Sequence, residues 1–232
     1  MSKKRFYEAA TVADLDQGWG IELDCRGVRT PSGGVLGVPV RALAEAMAQE
    51  WNAQGENVIP SSMPLCGLVN ATIDRITIQP EVFHNQIEEY SKTDLICYWA
   101  ENPTDLLKLQ HDTWQPLIDW MKHRFGAEFR VTQEIVHLTQ PDDAITIVRK
   151  EIESYAPFHL AAFTDMVTTL GSVIIALALY HNHLSVEQAF NAAFLDELYQ
   201  ADKWGDDLEA VQRREGLRSD LESTTRFLAL LG

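Results

Sequence analysis

The chain has 232 residues, 46% apolar and 23% charged, enough for one or two domains with a substantial core. Its 34 acidic and 19 basic residues give a formal charge of −15. A field of that sign repels phosphate backbones, and the longest basic runs, Lys3-Lys4-Arg5 and Arg213-Arg214, make no basic patch, so no nucleic-acid partner is expected.

The apolar and aromatic residues are too many and too evenly spread for a disordered chain. Cys25, Cys66 and Cys97 are far apart and form no CxxC pair. That argues against a disulfide framework or a cysteine zinc knuckle and for a reducing compartment. The first twenty residues have neither an apolar signal core nor an Arg-rich, acid-poor leader, and read as mature protein.

In chain order, Trp19, Ile21 and Leu23 alternate with Gly20, Glu22 and Asp24, the period of a half-buried strand. Asp24-Cys25-Arg26-Gly27 is a turn, Val28-Arg29-Thr30 a return strand, Pro31-Ser32-Gly33-Gly34 a second turn and residues 35–38 a third short strand. Pro39 suits the first turn of a helix. Leu43, Met47 and Trp51 give that helix one apolar stripe, with Gly55 as its stop. Ser61-Ser62 suits a cap, followed by a second helical period through Leu65, Val69, Thr72, Ile73 and Ile76.

Beyond Pro80 the pattern becomes mostly helical, and so does the charge: residues 1–80 carry a net −2, residues 81–232 a net −13. The expected fold class is α+β, with a small mixed β/α domain over 1–80 and a larger helical domain over 81–232. Residues 81–91 form a short helix, and 94–99 can be read either way. Residues 103–125 fit one long helix with Leu107, Trp114, Ile118, Met121 and Phe125 on one face and Gly126 as the stop. Residues 129–138 look extended. Residues 158–180 read as one helix, apolar nearly all round, inside a charge-free stretch from Met166 to Val186. That stretch is long enough to cross a bilayer, but its polar residues and acidic flanks favour a buried helix, and no membrane insertion is expected. Ser185 and Gln188 match a capping box. The helix they open runs to Trp204, where Gly205 breaks it, and a last helix starts near Asp207.

Phosphate-loop, GxGxxG, HExxH and GxSxG patterns are absent. Two ExxH units occur, Glu81 with His84 and Glu134 with His137; on helices such units supply ferritin-like di-metal sites. The second lies in an extended segment, where the two side chains diverge. His181-Asn182-His183 reads as a solvated helix end. The densest acidic feature is residues 194–209, FLDELYQADKWGDDLE, net −5 and interleaved with Phe194, Leu198, Tyr199 and Trp204. Two readings stand: a solvated helix face with an acidic N-cap, or an acidic rim around apolar anchors of a protein-binding surface. On the second, the binding residues are Glu197, Tyr199, Asp202, Trp204, Asp206, Asp207 and Glu209.

Short blocks recur in a recognisable order. They are Arg5-Phe6-Tyr7, Leu23-Asp24, Val28-Arg29-Thr30-Pro31, Val38-Pro39, Ala42-Leu43-Ala44, Glu50-Trp51 with Gln54, Met63-Pro64-Leu65 and Ala71-Thr72-Ile73-Asp74. Further on come residues 94–98 (DLICY), Trp114 with Pro116, Phe125-Gly126, Gly171-Ser172, Leu195-Asp196-Glu197, Tyr199-Gln200 and Trp204-Gly205. Together they resemble the assembly chaperones that act on the alpha subunit of the F-type ATP synthase catalytic sector. Cys25 stands where the family prefers Gly, Trp99 where Arg is usual, and Asp202 where a Glu precedes Trp-Gly.

The resemblance implies a β/α domain followed by a helical one, a non-enzymatic role without cofactor, and the alpha subunit as partner, held until the beta subunit replaces it. A monomer in the bacterial cytoplasm is expected, or in the mitochondrial matrix if a eukaryotic leader has been removed. The alternatives are a di-metal carboxylate enzyme and an acidic adaptor for another oligomer.

Overall fold

The computed structural model describes residues 3–134 and 136–232. The chain divides into two compact units. The first comprises residues 1–80 with 156–162 and 222–232; the second comprises 81–155 and 163–221.

The first unit holds β1 (Lys3–Lys4), β2 (Ala10–Asp14), β3 (Trp19–Leu23), β4 (Arg26–Gly27), β5 (Gly37–Val38), α1 (Arg41–Asn52), β6 (Asn57–Val58) and α2 (Pro64–Ala71). β3 is the central strand of an antiparallel sheet. It pairs with β2 along its whole length, with β4 at Glu22–Leu23 and with β5 at Trp19–Gly20. The expected strand at 19–23 is present, and its alternation buries Ile21 and Leu23. β2 has only Ala10 fully buried, which is why no alternation announced it. Gly18 closes the β2–β3 turn at φ +92°, where an added Cβ would sit 2.3 Å from the Val38 carbonyl oxygen.

Asp24 and Cys25, at φ +48° and +64°, form the left-handed two-residue turn from β3 to β4, which normally favours glycine. The Asp24 carboxylate accepts the Glu8 and Ala9 N–H groups. Those bonds hold its carboxyl below the ordinary carboxylate range and tie the turn to the chain leading into β2. α1 buries Leu43, Ala44 and Met47 against the sheet, and Ala162 and Phe227, far away in sequence, join the same core.

Three local expectations shift. α1 starts at Arg41 with Val40 as its cap, so Pro39 precedes the helix, which ends at Asn52 before Gly55 is reached. Ser61 and Ser62 lie in a 3-10 turn over Pro60–Ser62, and α2 opens with Pro64 in its first turn. Thr72–Ile76 then widens into a π turn.

The remaining helices are α3 (Pro80–Lys92), α4 (Thr104–Phe125), α5 (Asp142–Glu153), α6 (Pro157–Leu170), α7 (Val173–Tyr180), α8 (Val186–Ala193), α9 (Leu195–Trp204) and α10 (Leu208–Leu231). α4 ends on Gly126 in the left-handed region, the expected stop. Its buried face carries Leu106, Gln110, Trp114, Leu117, Ile118 and Met121, with Leu106 in the place expected for Leu107. Trp114 is satisfied at depth because its indole N–H donates to the Ala192 carbonyl at 2.8 Å. The expected extended run 129–138 includes Ile135, which lies outside the described residues; of the rest, only Thr132 bridges, to Tyr98.

Two helices read as continuous are each two. The run 158–180 breaks at Gly171 (φ +64°) and Ser172, whose hydroxyl caps Ile175 N. The cause is a buried carboxylate from outside. Asp94 accepts Val173 N at 2.7 Å, Ile174 N at 3.1 Å, the Ser172 hydroxyl at 2.6 Å and Ile96 N at 3.2 Å. It caps α7 and its own 3-10 turn (Leu95–Cys97). The run 186–204 breaks at Phe194, which is buried and stacks on Phe190 at 4.4 Å. The capping box at Ser185 and Gln188 is formed. No helix among the described residues is long and apolar enough to cross a membrane.

Candidate functional site

α9 lies beside α4, with Gln110 Nε2 donating to Asp196 Oδ1 at 2.7 Å and the Tyr199 hydroxyl donating to Asp105 Oδ1 at 2.8 Å. α9 and α8 together border an open groove of about 550 Å³ whose lining is largely apolar. Leu109 and Leu117 line it from α4, Leu184 and Ala192 from the α8 side, and Leu195 and Leu198 from α9. Tyr199 and Asp202 continue the α9 face, one and two turns beyond Leu195.

The seven residues singled out in the sequence separate by what they touch. Glu197 takes the Arg213 guanidinium, with Arg214 Nη1 at 3.8 Å. Asp206 takes Arg214, a side chain only 9% exposed. Asp207 Oδ1 accepts Ala210 N at 2.8 Å and caps α10. Tyr199 is held by Asp105, which also accepts Lys203 Nζ at 3.1 Å. The Tyr199 hydroxyl and the Lys203 ammonium keep the Asp105 carboxyl below its ordinary range. Partial burial, then Asp105, pushes the Tyr199 phenol up.

Asp202, Trp204 and Glu209 are exposed, Trp204 at 76%. Leu208 next to Glu209 is 71% exposed and Leu109 on the groove 43%. Asp196, adjacent to the predicted set, is half-buried, and burial pushes its carboxyl up against the Gln110 bond. The groove leucines of α4, and Leu184 just before α8, were absent from the sequence-based set. Only the helical spacing of Leu109 and Leu117 hinted at them, and it could not say which helix would lie alongside.

The ExxH pairs find other uses. Glu81 binds Arg149, which also holds Glu88 and Glu153. His84 is buried, its Nδ1 3.7 Å from Glu81 Oε1. Glu134 and His137 lie outside any helix. No group of three or more His, Cys, Asp or Glu is placed to hold a metal ion among the described residues.

A family model described as ATP12 chaperone protein matches residues 4–122. The chain belongs to the ATP12 chaperone family. The Schizosaccharomyces pombe protein atp12, mitochondrial, is 26% identical over 218 residues, covering 88% of this chain and 75% of the yeast protein. The crystal structure of Atp12 from Paracoccus denitrificans is 33% identical, with a TM-score of 0.92 over 99% of each chain. That of the Agrobacterium tumefaciens Atu1473 protein is 38% identical, with a TM-score of 0.94 over 99% of this chain and 86% of that one. The ATP12 family role is non-enzymatic: assembly chaperone of the ATP synthase. Two of the resemblance blocks, residues 94–98 and Gly171-Ser172, meet physically in the ATP12 fold described above, through the Asp94 cap on α7.

Proposed function

We propose that this chain binds the unassembled alpha subunit of the ATP synthase catalytic sector, keeps it from aggregating and releases it to the beta subunit. The observation that carries the reading, beside family membership, is the pairing of exposed apolar side chains with open carboxylates around α9. Trp204 and Leu208 are exposed close in sequence to the open Asp202 and Glu209, and the exposed Leu109 lines a groove together with Asp202. A subunit of an obligate ring exposes a large apolar face before assembly and aggregates through it. A holder must cover that face and still let go. Apolar anchors inside an exposed charged rim give encounter and orientation without the tight closure of a wholly apolar clamp.

The proposed binding residues are Glu197, Tyr199, Asp202, Trp204, Asp206, Asp207 and Glu209. Within that set Asp202, Trp204 and Glu209 make the direct contacts, and the other four hold them in place. The test is to mix the purified 26.2 kDa protein with isolated alpha subunit and follow light scattering and gel filtration. Suppressed scattering and co-elution are expected. Undiminished aggregation without co-elution removes the proposal, and enrichment of a different oligomer subunit in a pull-down from the native host redirects it.

A further inference from the structure

We infer that the groove between α4 and the α8–α9 pair seats an amphipathic helix of the client, with a basic residue of that helix against Asp202. The inference rests on the client reading above and deepens it. The groove is lined along α4 from Leu109 to Leu117, a separation of about 12 Å along the helix axis. That length matches two turns of a docked helix, which presents apolar side chains at i, i+4 and i+7. The lining offers them a matching series: Leu109 and Leu117 on α4, Leu195 and Leu198 on α9, and Leu184 just before α8.

Charge then selects the occupant. Asp202 is the one charged group among the described residues lining the groove. It sits where α9 nears its end, two turns from Leu195. The neighbouring carboxylate Asp105 is already committed to Tyr199 and Lys203, whereas Asp202 is exposed at the rim. An acidic or uniformly apolar segment would leave that carboxylate facing a like charge or half-desolvated without a partner. A helix with a Lys or Arg about one turn beyond its apolar stripe meets it directly. The exposed apolar area of the groove gives the docked helix its affinity, and the single charge gives it its register.

The experiment places the photoreactive p-benzoylphenylalanine at position 109, which is 43% exposed and tolerant of a surface change. The protein is cross-linked to purified alpha subunit, and the captured segment is read by mass spectrometry. The expected capture is one helical segment with apolar residues at i, i+4 and i+7 and a Lys or Arg within about one turn of the stripe. In parallel, Leu109→Glu is expected to weaken co-elution at least about tenfold and Asp202→Asn about three- to tenfold, the Asp202 effect fading in high salt.

Circular dichroism of each variant checks that the fold is kept. Co-elution unchanged by Leu109→Glu, or a captured segment that is acidic or not amphipathic, overturns the groove and leaves the alpha-subunit reading standing. Absence of co-elution with the unmodified protein overturns both.

Discussion

Asp94 is the residue whose removal the structure prices most definitely. Its carboxylate accepts from Ile96 N, Val173 N, Ile174 N and the Ser172 hydroxyl, and all five residues are fully buried. Asp94→Ala leaves four donors without a partner where water does not reach. At about 1–3 kcal/mol for each orphaned group, the expected loss is about 4 kcal/mol or more, a large share of the ~5–15 kcal/mol typical of a whole domain.

The titration adds a signed test. Burial pushes the Asp94 carboxyl up to about 6, against the pull of its four hydrogen bonds. Its ordinary value is 3.8. Between those values the folded chain binds a proton that the unfolded chain does not. Its contribution to stability is therefore present in full below the ordinary value and lost as pH rises through about 6. Asp94→Asn, which does not titrate, is the reference. The wild type's advantage over it is expected to be largest near pH 4 and to shrink by up to about 3 kcal/mol by neutral pH.

Urea unfolding followed by circular dichroism at several pH values, in dilute solution because the pI is near 4.8, reads both numbers. Amide exchange at Val173 and Ile174 localises the effect. A loss below about 1 kcal/mol for Asp94→Ala, or an advantage that grows with pH, refutes the reasoning.

Trp204→Ala is expected to change stability by no more than about 0.5 kcal/mol, the side chain being mostly in solvent, while weakening co-elution with the alpha subunit; a drop in Tm with binding unchanged would make Trp204 structural. Charge reversal should separate two kinds of acid: Asp202→Lys with Glu209→Lys is expected to weaken binding at unchanged Tm, whereas Asp206→Lys should lower Tm by setting a cation against the nearly buried Arg214. Equal effects in both readouts would refute the division. Cys25→Gly should stabilise by about 0.5–1 kcal/mol, since glycine takes the left-handed turn without the Cβ penalty; a lower urea midpoint would count against it.

Much of the architecture was legible because it depends on local chemistry. Gly126 and Gly205 end helices at positive φ, the Ser185–Gln188 box needs only four consecutive residues, and β3 shows its alternation. What could not be read is what distant residues impose. The break at Gly171-Ser172 has a weak local signal, one glycine and one serine in an apolar run. It becomes fixed when Asp94, 78 residues earlier, supplies the charge for the α7 amide groups. The same holds for the first unit's core, which takes Ala162 and Phe227 from segments that local pattern assigned to the helical part.

The candidate site divides along the same line. Composition located the acids, but whether an acid is free depends on where the arginines of α10 fall, and that is a tertiary fact. Residues 194–209 looked like one acidic surface. The structure resolves it into a frame and a face. Arg213 and Arg214 bind Glu197 and Asp206, and Asp207 caps the next helix, so these three hold the α9–α10 corner. Asp202 and Glu209 stay open in solvent. The corner in turn presents Trp204 and Leu208 outward, which is what the proposed binding surface requires of its apolar anchors. If this is the client-binding surface proposed above, two open carboxylates beside exposed apolar side chains, on a frame stiffened by its own ion pairs, suit a surface that must meet its partner quickly and give it up. Exposed rim charges act mainly on encounter and are screened by salt, while the apolar anchors set how long the complex lasts.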